Sequence, residues 1–470
     1  MLPFTFLSRD EIEALHQASL HILAETGVVL TEPKSIELLT GAGATIRGNR
    51  VLFPQELVER CITQAGKRPV LRGRGGMVKT LGDGHLYFHN LGGAPNIYDA
   101  ASGTRRPATL QDVRDSARLL DALENCHTIT PFFTPTDVPG NIMSLAMYRH
   151  TLPHTVKPVQ GPGVQFAAEV RYAVKMAEVI GDPAEMLSLA LSPVSPLTIP
   201  DHEAGAILEI ARLGIPFAPL PCPTAGTTAP MSIAGAVAQQ NAEVLAALVL
   251  AQLVRPGLPM IYCGRLAMME PRSGLSVWGG VELGIASAVT VQIGHRYGLP
   301  VNVYGFSTNA HVLDTQNGFE RALNAILPSL AGADELSGIG EMEAGVMSSY
   351  AQMVADNEFA GSVLRARKGV PADHDALAVD VVAAAMDSTR NFLGQKHTMK
   401  YLRSGEILVT KLAERGSWDS WEIGGRQGLA ERAQAEAERI LREHQVSPLS
   451  DAQENELDRL LSAAQRELAS

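Results

Sequence analysis

The chain has 470 residues, of which 46% are hydrophobic and 19% charged. That is enough apolar material for a large core and too little charge for extensive disorder. The net charge of −11 argues against non-specific nucleic-acid binding, which needs clustered Lys and Arg.

The N-terminus has no basic start, no long apolar core and no small-residue cleavage site, so no signal peptide is expected and a cytoplasmic location is. Residues 1–85 are predicted to form an α+β extension. Ser8 and Glu11 make a capping box for a first helix that closes at Gly27. Two further helical segments begin near Pro33 and Pro54, with a small hairpin turning at Gly48-Asn49. This extension is placed to plug or cover the N-terminal mouth of the domain beginning at Leu86.

From Leu86 to Gly361, eight short runs recur, each trailed by a helix-length segment. They are LYFHN (from Leu86), HTITPFF (His127), VKPVQ (Val156), LSLALS (Leu187), PFAPLP (Pro216), PMIYCG (Pro259), VNVYG (Val301) and ELSGIG (Glu335). Strands alternating with helices imply parallel pairing with right-handed crossovers. Eight such units predict an α/β fold, a (β/α)8 TIM barrel over 86–361, whose active site lies where strands run out into loops. Three of those loops are long, and Thr109 with Asp112 caps the helix after the first. The longest apolar stretch, AEVLAALVLAQLV, suits a buried helix and falls short of a membrane span. Residues 362–470 read as a helical extension, with Leu429, Ala433, Ala437, Ile440 and Leu441 on one buried face. It is read as a lid, a homo-oligomer contact or a partner surface.

Four scattered cysteines with no CxxC (Cys61, Cys126, Cys222, Cys263) read as reduced, buried thiols. Zinc held by Cys222 and Cys263 is the weaker alternative, and Pro153 breaks the helix that would align His150 with His154. No bound metal is predicted.

The stretches TAGTTAPMSIAGAVAQQNAEVLAALVLAQLVRPGLPMIY and GVELGIASAVTVQIGHRYGLPVNVYGFSTNAHVLDTQNGFERALNAILPSLAGADE resemble the trimethylamine methyltransferase family. GGAPNIYDAASGTRRPATLQDV, Asp137-Val-Pro, SSYAQMVADNEF and FLGQKHT add to the resemblance in order along nearly the whole chain. The family's trimethylamine-specific members carry pyrrolysine, whereas this chain holds only standard residues, like the branch that demethylates glycine betaine and related quaternary amines. The resemblance therefore implies methyl transfer from a quaternary amine, glycine betaine first, to the cobalt of a corrinoid. No corrinoid-binding module or DxHxxG pattern is visible, so that cofactor would arrive on a partner protein. Demethylation of a larger betaine such as carnitine or proline betaine, or non-catalytic betaine binding, remains the alternative. A nucleic-acid or membrane partner is not expected.

A quaternary ammonium has no N–H to donate and is recognised by aromatic faces and carboxylates. The aromatic candidates at strand ends are Tyr98, Phe132, Phe133, Tyr262, Trp278, Tyr304 and Phe306; the last two share a strand parity. After the seventh run come Ser307, Asn309, His311 and Asp314, and after the eighth Glu341 and Glu343. His311 and Glu341 are the catalytic candidates, the first to bond a carboxylate or steer the corrinoid, the second to balance the ammonium. Asp314 has a helix cap as its other reading. For a substrate carboxylate the cation candidates are Lys157, read as inward-pointing with Gln160 beyond it, and Arg265.

Overall fold

Eight parallel staves close on themselves in chain order. In a computed structural model describing residues 3–99, 102–161, 163–388 and 390–468, they are β1 (Tyr87–Asn90), β2 (128–129), β3 (Val159–Gly161), β4 (Leu187–Leu191), β5 (Phe217–Pro219), β6 (Tyr262–Gly264), β7 (Val301–Tyr304) and β8 (Glu335–Ile339). Ala100 and Ala101 of the first long loop lie outside the described residues. Parallel ladders join β3 to β4, β4 to β5, β6 to β7, β7 to β8 and β8 back to β1. The remaining joints are single bridges: His89 to Thr128, Ile129 to Val159 and Phe217 to Met260. Those joints are short because Pro131, Pro158, Pro216 and Pro259 flank them and have no N–H to donate to a ladder.

A helix follows each stave: α1 (Leu110–Ala122), α2 (Met143–Thr151), α3 (Ala167–Glu178), α4 (Asp201–Leu213), α5 (Ile233–Val254), α6 (Val281–Arg296), α7 (Thr315–Leu330) and α8 (Tyr350–Lys368). α5 is longer than its apolar stretch suggested. Its 22 residues are apolar enough to cross a membrane, yet 83% of the apolar window is buried inside the protein. Its neighbours are the prefix helices Arg9–His21 and Gln55–Gln64 together with α4 and α6, which enclose it.

The prefix folds as its signals dictate. Ser8 and Glu11 cap Arg9–His21 reciprocally, and Thr45–Arg47 pairs with Arg50–Leu52 about Gly48. A second hairpin, Val70–Arg72 with Val78–Thr80, carries Lys79 and Leu81 into the barrel's N-terminal end. Leu81 packs there on Ala190, Ala218, Ile261 and Cys263, one small apolar side of the lumen. The two long C-terminal helices, Leu429–Glu443 and Asp451–Leu468, run along the barrel flank against α8, α1, α2 and α3. Arg149 of α2 pairs with Glu454 at 2.7 Å and Asp458 at 2.8 Å, and Ala433, Ala437 and Ile440 are buried. Neither helix is a lid. Three cysteines are buried and Cys222 is exposed, against the expectation of four buried thiols.

Candidate active site

Alternation along each strand sends every second side chain into the lumen. His89, Thr128, Gln160, Asn302, Tyr304 and Glu335 arrive there this way, and so does Arg265 just past β6. They form one hydrogen-bonded column. At its base the Lys79 ammonium donates to Thr128 Oγ1 (2.8 Å), Gln160 Oε1 (3.0 Å) and Glu335 Oε1, with both ions fully buried. Three acceptors match the three protons of a charged ammonium. Glu335 Oε2 accepts from Gln160 Nε2 (2.8 Å) and Asn302 Nδ2 (2.6 Å). Burial works to raise the Glu335 carboxyl, but the Lys79 charge outweighs it and holds the carboxyl down at about 2.

Asn302 Nδ2 also donates to His89 Nε2 at 2.8 Å, which leaves the proton on Nδ1 for the Asn90 carbonyl, 2.8 Å away. His89 is neutral, since burial depresses its pKa to about 4. Asn302 Oδ1 and its backbone oxygen receive Arg265, whose guanidinium lies 4.5 Å from the Tyr304 ring centroid. Gly264 has no room for a side chain: a Cβ would stand 2.2 Å from Gln240 Nε2, so a glycine lets the strand end press against α5. Trp278, from the long loop after β6, meets Tyr304 edge-on at 5.4 Å. Asn309 fixes that loop by accepting the Trp278 and Gly279 N–H groups, both at 2.7 Å.

Glu341 lies just past β8 and is 1% exposed. Ser307 donates to its Oε1, while Oε2 is buried with no partner among the described residues. Burial pushes its carboxyl up to about 7 against the lowering effect of Ser307, Arg321 and Arg265. Gly340 before it, at φ +85°, admits no side chain, because a Cβ would lie 2.8 Å from the Phe132 ring. Arg321 ties the end of β7 to that of β8 by donating to the Phe306 and Glu341 carbonyls and to Asp356 Oδ2. The result is a buried, under-satisfied carboxylate near Tyr304, whose phenol is pushed up first by burial and further by the Glu341 charge.

The structure corrects several sequence expectations. Lys157 does not enter the lumen; its ammonium caps the C-terminal end of α1, donating to Leu120 O (2.8 Å) and Leu123 O (2.7 Å). Tyr262 has outward parity and donates to Asn241 of α5 at 2.8 Å. Phe306 parts from Tyr304 because Gly305 and Phe306 both donate to Ser337 O, a bulge-like slip; the ring packs on Phe88 outside the barrel wall. Phe132 and Phe133 pack on each other in the core. Asp314 is the N-cap of α7, accepting from Asn317 N at 2.9 Å. Glu343 does not join Glu341: at φ 49°, followed by Ala344 at φ 56°, it turns out to the rim, 3.1 Å from Arg105 and 3.6 Å from an exposed His311. Tyr98 is half-buried in the rim sheet opposite Arg105.

Of the expected residues, the lumen and its mouth gather Gln160, Arg265, Trp278, Tyr304 and Glu341. Lys79, His89, Asn302 and Glu335 were missed. Polar residues inside otherwise apolar runs (His89 in LYFHN, Asn302 in VNVYG, Glu335 opening ELSGIG) were the signal for three of them. Among the described residues no group of three or more His, Cys, Asp or Glu side chains is placed to hold a metal ion.

Comparison with known proteins accords with this geometry. The solved monomethylamine methyltransferase of Methanosarcina barkeri superposes with TM-score 0.53 at 14% identity, over 98% of this chain and 92% of that one, and shares the fold. A trimethylamine methyltransferase of Desulfitobacterium hafniense (strain DSM 10664 / DCB-2) is 30% identical over 94% of this chain and 90% of its own length. A glycine betaine methyltransferase of D. hafniense (strain Y51) is 29% identical over 98% and 97%. The family model described as trimethylamine methyltransferase (MTTB) matches residues 1–469, so the chain belongs to that family and is a methyltransferase.

Proposed function

We propose that this methyltransferase takes a methyl group from a quaternary amine, glycine betaine first, and passes it to a reduced corrinoid on a separate protein. The observation that carries the reading is Glu341, a buried carboxylate whose Oε2 has no partner among the described residues and whose charge acts on Tyr304, the ring that Trp278 meets edge-on. A carboxylate and aromatic faces suit a permanent cation that brings no N–H of its own. A quaternary nitrogen already bears its charge, so the C–N bond pair returns to nitrogen and a neutral amine leaves without a proton. The corrinoid supplies the nucleophile and accepts the methyl carbon. This chain holds the cation, aims one methyl towards the mouth and excludes water. Phe166, Val194, Met231, Leu275, Val312 and Val346 each lie exposed in a different βα loop, which fits docking of the carrier protein at that face.

Supplied with free cob(I)alamin under anoxic, reducing conditions, the enzyme is expected to methylate it with glycine betaine faster than with trimethylamine. Faster turnover of trimethylamine sinks the proposal. A cytoplasmic location, where free thiols stay reduced, belongs to the same reading.

We place a homo-oligomer contact on 370–423. Val370, Leu377, Val379, Val382, Leu393 and Val409 are exposed there, while Ala385 and Leu412 are its buried hydrophobics among the described residues. The segment leaves α8 at the barrel's N-terminal end, where Arg367 donates to Ala333 O and Gly84 O. That end is opposite the mouth, so a second copy suits it better than the methyl acceptor's carrier. Light scattering should give an oligomer, and Leu393→Glu with Val409→Glu a smaller species; a monomeric parent protein refutes the contact.

A further inference from the structure

Arg265 is 3% exposed and takes part in no ion pair among the described residues. Its partners are all neutral. Nη1 donates to the Gly264 carbonyl (3.2 Å) and the Asn302 carbonyl (2.9 Å), Nη2 to Asn302 Oδ1, and the Tyr304 ring and hydroxyl lie alongside. The nearby carboxylates are engaged elsewhere: Glu335 by Lys79, Asp356 by Arg321. Glu341 lies near enough for its charge and that of Arg265 to act on each other, but it accepts from Ser307 and forms no ion pair with Arg265 among the described residues. A guanidinium buried without a counter-anion is costly and is rarely left so. The cost is met when a ligand brings the anion. The planar group is also pre-set. Asn302 is locked by Glu335 and His89 on its amide side, so its oxygen holds Arg265 in one orientation. The Nε–H and the second Nη2–H share the edge that neither carbonyl nor amide uses, and two donors on one edge match the two oxygens of a carboxylate.

We propose that Arg265 is a specificity-determining residue that reads a carboxylate on the substrate, so that the site selects zwitterionic quaternary amines over methylamines and quaternary alcohols. The inference rests on the proposed quaternary-amine reading for the identity of the cationic half. The anionic half then sits at Arg265 and the ammonium between Trp278 and Glu341. Lys79, Glu335 and Asn302 act as positioning residues, since they hold Arg265 in place through one another.

Three probes separate the two halves. Glycine betaine carries both charges, choline only the cation, and 3,3-dimethylbutanoate has the shape of glycine betaine with its carboxylate and no cation. Calorimetric titration of the full chain should show glycine betaine binding about 10- to 100-fold more tightly than choline, with measurable binding of 3,3-dimethylbutanoate. Arg265→Met should erase both the preference and the 3,3-dimethylbutanoate signal, and Arg265→Lys should restore part of each. The proposal is overturned if the parent protein binds choline as tightly as glycine betaine, or if Arg265→Met still binds 3,3-dimethylbutanoate. Should Arg265→Met fail to fold by thermal melt, the parent protein's own ranking of the three probes and the Lys variant decide. Methyl transfer is assayed alongside. Carboxylate selectivity without any methyl transfer refutes the proposed function and leaves the role of Arg265 standing.

Discussion

Lys79→Met is expected to destabilise the protein by about 3–5 kcal/mol, read from chemical unfolding, because it strands Glu335 as an unpaired charge in the closed end of the barrel. Lys79 reaches three lumen acceptors from a hairpin outside the barrel, so its loss also frees the prefix. Lys79→Met combined with Glu335→Leu should recover most of the loss, since removing both members leaves neither ion of the pair stranded. A single variant as stable as the parent protein contradicts the pairing. The pH dependence has a definite sign. The Glu335 carboxyl falls from 4.5 to about 2 on folding, so the stability it brings is complete above 4.5 and is lost as pH drops towards 2. The double variant should not show that acid transition.

Glu341→Gln is expected to remove a pH dependence from ligand binding. In the ligand-free protein the carboxyl rises from 4.5 to about 7, so its contribution to stability is intact below 4.5 and declines as pH climbs through 7. The Gln variant should therefore be more stable than the parent protein at pH 8, by about 1–3 kcal/mol. A quaternary ammonium beside Glu341 favours the ionised form. Glycine betaine should bind the parent protein about 10-fold more tightly at pH 8 than at pH 6, releasing a proton near neutrality, and bind the Gln variant equally at both. Titrations in buffers of different ionisation enthalpy measure that proton directly. Equal affinity of the parent protein at both pH values removes Glu341 from the cation site.

The fold was largely legible in the chain. All eight runs become staves in chain order because their β-branched and apolar residues are bounded by Pro, Gly and polar turns, signals that act over a few residues. Caps were legible for the same reason: Ser8 with Glu11 and Asp314 with Asn317 are contacts three residues apart. The site was legible only in part. Trp278, Arg265 and Glu341 could be named from their place after strands, but whether a side chain at a strand end faces in or out depends on parity. Parity slips wherever a bulge intervenes, as at Gly305 and Phe306.

By itself, the sequence determined the number and order of the βα units, the ends of the helices and the acidic balance of −11, all of which follow from local propensity and composition. The tertiary structure alone decided that Lys157 caps a helix while Lys79, from a hairpin outside the barrel, supplies the buried charge below the site. It alone decided that, among the described residues, Arg265 joins no ion pair and Glu341 Oε2 has no partner. These are balances of desolvation against charge among residues up to 256 positions apart, and that balance exists only once the barrel has closed around them.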